Sequence, residues 1–242
     1  DFVLDSLSET AGAISNTVQT LGATYGLDDQ GIRQILRTQN YGNFDESNVS
    51  ERIQSLIDLM RSKAIASGVY RARHQYRVYG SDGSGIIMTV KGDSSTGFNY
   101  QFTEFQYPVN VTCVCTGEDS TGKDVVFFGA DNGYVYQADK GSSFDGADIE
   151  AYLRLPFNNV NSPRVIKRYR KAVLEMSSIG YTSIRFQPEF SYGDSDISPH
   201  TLQTVTGQGT GGYWDVATWG QLFYDARIVN NPEFDITGSG LN

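Results

Sequence analysis

The sequence predicts a mainly β chain: propeller-like antiparallel blades with one helix inserted between them, followed by a β-sandwich-like domain. The first observation is composition. Glycine (26), tyrosine (15) and phenylalanine (13) are abundant while proline is 6 and charged residues are 19%, a balance that suits pleated aromatic surfaces punctuated by turns. The second is a hairpin written in residues at Val125–Gly146. Val125–Phe128 and Tyr134–Tyr136 are apolar runs, and Asp131-Asn132-Gly133 between them carries an Asn-Gly pair that tolerates positive φ at both centres of a type I′ turn. The third is recurrence. Aromatic, Gly, one residue, Asp and a turn appear at Tyr25-Gly26-Leu27-Asp28, Tyr79-Gly80-Ser81-Asp82 and Phe128-Gly129-Ala130-Asp131, the last closed by Gly133 one residue early. The spacing of about 50 residues is that of a kelch-type blade. Turn chemistry alone recurs in any antiparallel protein, so the spacing carries the argument.

Blades are expected near 14–38, 69–90 and 98–138, within a first domain over 1–176; a second β domain follows over 177–242. Asp1–Thr10 is short and mixed. The first blade draws on Val18, Leu21, Tyr25, Ile32, Ile35 and Leu36, and Asn40–Asn43 is a turn cluster. A helix is predicted over about 50–67: Ile53, Leu56, Ile57, Met60 and Ala64 share one face. Ser50 would cap its start and Gly68 its end. Val69–Tyr79 and Ile86–Val90 are strands around the Ser81–Gly85 turn, and Phe98–Tyr107 and Val109–Thr116 are two more. Ile149–Phe157 alternates as a strand does. Ser162-Pro163 breaks the chain, and beyond Gly180 short strands at Tyr181–Gln187 and Gln221–Ile228 alternate with turn-rich loops. The sequence opens on Asp1 and closes on a turn-like Thr237–Asn242, so a piece of a longer polypeptide is expected.

A net charge of −9 and a pI near 4.7 argue against a generic nucleic-acid-binding surface. The exception is Arg164–Lys171, where Arg164, Lys167, Arg168, Arg170 and Lys171 form a basic cluster that suits a neighbouring subunit or DNA phosphates, or a solvated strand face. Cys113 and Cys115, the only cysteines, stand two apart and point to one face of a strand, too poorly placed to bridge each other. They read as buried or half-buried thiols in a reducing compartment. No apolar run reaches 18 residues.

No catalytic or cofactor constellation emerges, and neither a cofactor nor a metal is expected. His74 and His200 have no metal or nucleophile partners in spacing, and His74 reads as a structural strand histidine. Gly207–Gly212 fits GxGxxG without the helix that would receive a pyrophosphate. Glu104, Glu189, Asp194 and Asp196 are carboxylates that a glycosidase would have to pair across a cleft. Asn48 and Asn110 stand in sequons, which matter only in a secreted setting.

Several stretches carry a resemblance. FFGADNGYVYQADKGSSFDG, then SPRVIKRYRKAVLEM and FQPEFSYGD, together with ARHQYRVYGSDGSGIIMTV at Ala72–Val90, resemble virion proteins from the tails of short-tailed bacteriophages, of the nozzle, hub or head-completion type. The likeness covers most of Ala72–Asp194 and includes WDVATWGQLFYD at Trp214–Asp225. It implies a non-enzymatic structural subunit of a ring, commonly six copies, around the channel through which DNA leaves. Other tail or connector proteins, and tail fibres, would be its neighbours. Acidic residues facing the channel would repel phosphate so that DNA passes without sequence-specific binding, and the Arg164–Lys171 patch would meet a neighbour. Folding in the bacterial host cytoplasm and incorporation into the virion follow. The alternative is a tail-tip protein that binds or cleaves carbohydrate, with Tyr213, Trp214 and Trp219 as aromatic platforms.

Overall fold

The computed structural model describes residues 12–35, 48–92, 97–141, 143–162, 165–178, 182–193, 200–207, 228–230 and 233–240. The chain is mainly β and divides into two compact units, Asp1–Glu150 and Ala151–Asn242. The sequence reading placed its boundary later, at 176/177.

The first unit is three antiparallel meanders in succession. Strands β1 (Gln19–Leu21), β2 (Ala23–Leu27) and β3 (Ile32–Gln34) form the first. Strands β4 (Ala64–Tyr70), β5 (Gln75–Gly80), β6 (Ser84–Lys91) and β7 (Asn99–Gln106) form the second. Strands β8 (Val111–Glu118), β9 (Asp124–Ala130) and β10 (Val135–Gln137) form the third. The second sheet is buried on both faces, because successive strand residues point to opposite sides. Tyr76 and Val78 of β5 join Ile86 and Met88 of β6 in a cluster with Tyr25, Leu27 and Ile32 of the first meander. Tyr79, also on β5, joins Val111, Val126 and Phe128 of the third. Close approach needs glycine at two points: a Cβ on Gly68 would come within 2.9 Å of Thr116 Cγ2, and one on Gly85 would overlap the Phe105 ring.

The predicted helix is cut short. A 3-10 turn at Glu51–Ile53 leads into α1 (Gln54–Met60), which buries Ile57 and Met60 as its spacing implied. From Ala64 the chain is strand β4, so Ala64 and Gly68 are strand residues. Ala64–Tyr70 is an apolar run of ambiguous period, and pairing with β5 decides it. Ser50 does not cap the helix; its hydroxyl accepts the Ile32 N–H at 2.9 Å. The strand expected over Val69–Tyr79 is interrupted by a 3-10 turn at Arg71–Arg73, with His74 in the left-handed region (φ 53). His74 is therefore an exposed turn residue.

The three glycine–aspartate hairpins occupy the same place in each meander, between its second and third strands: β2/β3, β5/β6 and β9/β10. Their local forms differ. At Asp28 the carboxylate accepts the N–H groups of Gln30 and Gly31, both at 2.8 Å, and pairs with buried Arg33. The β9/β10 turn is not type I′, since only Gly133 has positive φ (84). Gly133 donates its N–H to Ala130 O and Ala130 its own to Tyr134 O, a three-residue loop ending in a left-handed glycine. Gly83 (φ 80), donating to Gly80 O, repeats that form. Asp82 and Asn132 are thus the structural counterparts, each accepting the N–H two residues on at 3.1 Å. Asp131 instead accepts from the Asn110 amide at 2.8 Å. Gly129 lies against β8, where an added Cβ would stand 2.8 Å from Cys113 Sγ, and Gly26 faces Ala13 and Val18.

The second unit is built from nested antiparallel pairs. Outgoing strands β11 (Lys167–Val173), β12 (Met176–Ser178) and β13 (Thr182–Phe186) pair with returning strands β16 (Glu233–Gly240), β15 (Ile228–Asn230) and β14 (Gln203–Gly207) respectively. Phe234 and Ile236 are buried, and the Phe186 and Phe234 rings stack at 4.7 Å. Ile149–Phe157, read as a strand, forms none. No helix among the described residues is long and apolar enough to cross a membrane.

The Asp82 carboxyl is held down at about 2 by the Lys63 ammonium at 2.6 Å and then by the Ser84 hydroxyl. A carboxylate held below its ordinary value stabilises the fold above about pH 4, and that contribution is lost as the pH falls through about 2. Asp82→Asn should lower stability at pH 7 by at most about 1 kcal/mol, because the pair is half-exposed, and the deficit should fade by pH 2. Urea midpoints at the two pH values check this; an equal deficit at both would assign the cost to turn geometry.

Candidate functional site

The most unusual group in the first unit is Arg77, whose side chain is 2% exposed. It follows from the alternation of β5. With Tyr76 and Val78 turned to the first meander, Arg77 and Tyr79 must enter the opposite layer. The guanidinium donates to Asp139 Oδ2 at 2.5 Å and to Gln75 Oε1 at 2.6 Å, and lies 5.1 Å above the Tyr70 ring centre. Arg73 approaches the same ring from 5.2 Å and the same carboxylate from 3.4 Å. Burial, the largest single influence, works against the Arg77 charge, but Asp139 and Tyr79 together outweigh it and hold the group protonated. Burial also pushes the Tyr79 phenol up, with Arg77 pulling the other way. Asp139 reaches this position in a left-handed turn (φ 58) just after β10. The two sheets are thereby clasped by charge at Arg77 and by the rings that begin beside it, where Tyr79, Tyr107, Phe128 and Tyr136 stack in sequence.

The basic cluster divides into different roles. Arg164 lies outside the described residues. Lys167 donates from its ammonium to the carbonyls of Asn159 and Ser162, so it closes the preceding loop. Lys171 pairs with Glu233 across the β11/β16 ladder at 2.8 Å, and each partner favours the other's charged form. Arg168 and Arg170 are exposed, and a register shift falls between Tyr169 and Lys171. Lys171 is exposed as well, but its ammonium is engaged by Glu233.

The remaining sequence candidates do not converge. Cys113 and Cys115 are free and exposed, against the expectation of burial. The reason is the pleat: Val114 and Thr116 are the β8 side chains turned toward Gly68, which leaves the cysteines on the other face. Glu104 is exposed on β7 and Glu189 pairs with Arg154 at 2.5 Å; Asp194 and Asp196 lie outside the described residues, as do Tyr213, Trp214, Trp219 and residues 208–212. The His200 ring meets Phe190 edge-on at 4.9 Å. The sequon side chain of Asn48 is engaged by Gln30 and Ser50. Among the described residues no group of three or more His, Cys, Asp or Glu could hold a metal ion. Sequence reasoning missed the Arg77 clasp because Asp139 stands 62 positions away and no local pattern links the two.

Removing Asp139 leaves a buried guanidinium without its carboxylate. Because Asp139 is itself 29% exposed, Asp139→Ala should cost about 2 kcal/mol in urea unfolding, the scale of a buried donor left unsatisfied, and adding Arg77→Met should recover most of it. A double variant as unstable as the single would show that the ion pair is not the source of the loss.

No family model, no curated protein and no solved structure matches this chain.

Proposed function

We propose that the chain is a structural virion protein of a short-tailed bacteriophage, a nozzle or hub subunit of a ring around the DNA-ejection channel, with no enzymatic activity of its own. The observation that carries this reading is what the signature residues do. Arg73, Gln75 and Arg77 of the Arg-x-Gln-Tyr-Arg motif, with Asp139, are spent on joining two sheets, and the Ser-Asp-Gly motif forms the neighbouring hairpin. That use of the side chains suits a building block. Hairpins at one place in three successive meanders support reading the meanders as consecutive propeller blades. The nested ladders of the second unit are read as a sandwich.

On this account the protein folds in the bacterial host cytoplasm and is built into the virion tail. Six copies, by the resemblance, meet one another and other tail or connector proteins, with tail fibres as further neighbours. DNA passes the ring without sequence-specific binding, consistent with a net charge of −9. Arg168 and Arg170 serve a neighbouring subunit, since Lys167 and Lys171 are committed within the chain.

Arg168→Glu combined with Arg170→Glu should leave the chain folded and lower its incorporation into tails at least tenfold, read by particle composition and infectivity. Normal assembly would remove the contact role. Failure of the unaltered chain to enter tails, with glycan binding that falls on Trp214→Ala or Trp219→Ala, would instead favour a tail-tip carbohydrate protein.

A further inference from the structure

Among the described residues the third meander has one strand fewer than the second, and the sequence contains a candidate for it. The middle sheet runs β4-β5-β6-β7, whereas the third stops at β10. In the second meander β7 begins 15 positions after β6 begins (99 − 84). The same step from Val135, the first residue of β10, arrives at Glu150. There Ile149, Ala151, Leu153, Leu155 and Phe157 alternate with Glu150, Tyr152, Arg154 and Pro156, the period of a half-buried strand. Yet the segment forms no strand, and 151–157 make no backbone–backbone hydrogen bond among the described residues. Tyr152, Leu153 and Leu155 are 85%, 84% and 73% exposed. A strand pattern with bare apolar side chains and unpaired backbone is the signature of a partner supplied from elsewhere.

Among the described residues the edge that would receive it has no strand paired to it either. Ala130 N donates to Tyr134 O and Ala138 N donates to Val126 O, so the even-numbered residues of this stretch bond to β9. In an antiparallel ladder the alternate residues, Val135 and Gln137, then direct their N–H and C=O groups to the open side. Tyr134 and Val135 beside that edge are 68% and 73% exposed. Meanwhile the donor segment is tied at its far end within its own unit, through Arg154 to Glu189 and through the Phe157 ring to Tyr192.

We infer that residues 149–157 add as the fourth strand to the β10 edge of a second copy of this chain. Every copy carries both a donor segment and an acceptor edge, so the contact is head-to-tail, and it gives a closed ring when the rotation between copies closes. Main-chain hydrogen bonds to Val135 and Gln137 supply the register, and Leu153 and Leu155 supply apolar burial. The inference goes beyond the virion reading and does not rest on it: a chain that enters tails as a monomer would end the strand exchange alone.

The test is sedimentation-equilibrium mass of the unaltered chain and two variants, each first checked for cooperative unfolding. Leu153→Pro disables the donor and Val135→Pro the acceptor; Leu155→Asp and Val135→Lys replace them where proline prevents folding. The unaltered chain should self-associate, and each variant alone should weaken association by about 100-fold. Mixed in equal amounts, the two variants should form a 1:1 dimer, because the acceptor of the first and the donor of the second are intact. An unaltered chain that stays monomeric at all concentrations overturns the proposal. So does association that survives both variants, or a mixture that forms no dimer.

Discussion

The structure of the first unit depends on one strand having two buried faces. β5 sends Tyr76 and Val78 into one layer and Arg77 and Tyr79 into the other, and all four are 2% exposed or less. Full burial of each such apolar side chain is worth about 1.5–3 kcal/mol, so this strand ties three meanders into one stack. Tyr76 adds a directional bond, its hydroxyl donating to Thr17 O at 2.6 Å. A slip of one residue in β5 would exchange the two sets and place a guanidinium among Leu27, Ile32 and Met88. The register is therefore strongly specified.

Arg77 is the cost of that arrangement and also its lock. A buried charge is unfavourable until it is paired and hydrogen-bonded. Asp139, Gln75 and the Tyr70 face meet those needs together, and Asp139 is available only if the chain after β10 turns back through a left-handed residue. The third meander is thus fixed to the second by an electrostatic condition at Arg77 and by the ring stacking that begins at the neighbouring Tyr79. Aromatic pairs of this kind add about 0.5–1.5 kcal/mol each beyond burial. Glycine at 68 permits the approach, leaving room for Val114 and Thr116 of β8.

Much of the β architecture was legible because turn chemistry and alternation are local signals. The hairpin ends, β6, β7, β9 and β13 follow from them. The helical reading extends too far because Ala64 continues the spacing of Ile53, Ile57 and Met60 by coincidence, and pairing with β5, a non-local contact, prevails. His74 was misplaced because the turn at Arg71–Arg73 lacks glycine, proline and asparagine. Alternation suggests buried or half-buried cysteines because nothing in the β8 sequence marks which of its faces meets β4. Of the candidate site, the exposed pair Arg168 and Arg170 was visible as charge, but the loop-closing role of Lys167 and the ion pair of Lys171 needed the fold. Ile149–Phe157 is the instructive case: its pattern is that of a strand, and the chain's own sheets do not use it.

Native-state hydrogen exchange tests most directly whether the three meanders are one cooperative stack held through β5. Amides of β2, β5 and β9 should all exchange at free energies close to that of global unfolding, with the same denaturant dependence. If β9 and its neighbours opened at a much lower free energy than β5, the Arg77 clasp and the aromatic column would not be joining the sheets, and the account of a single stiff block would fail.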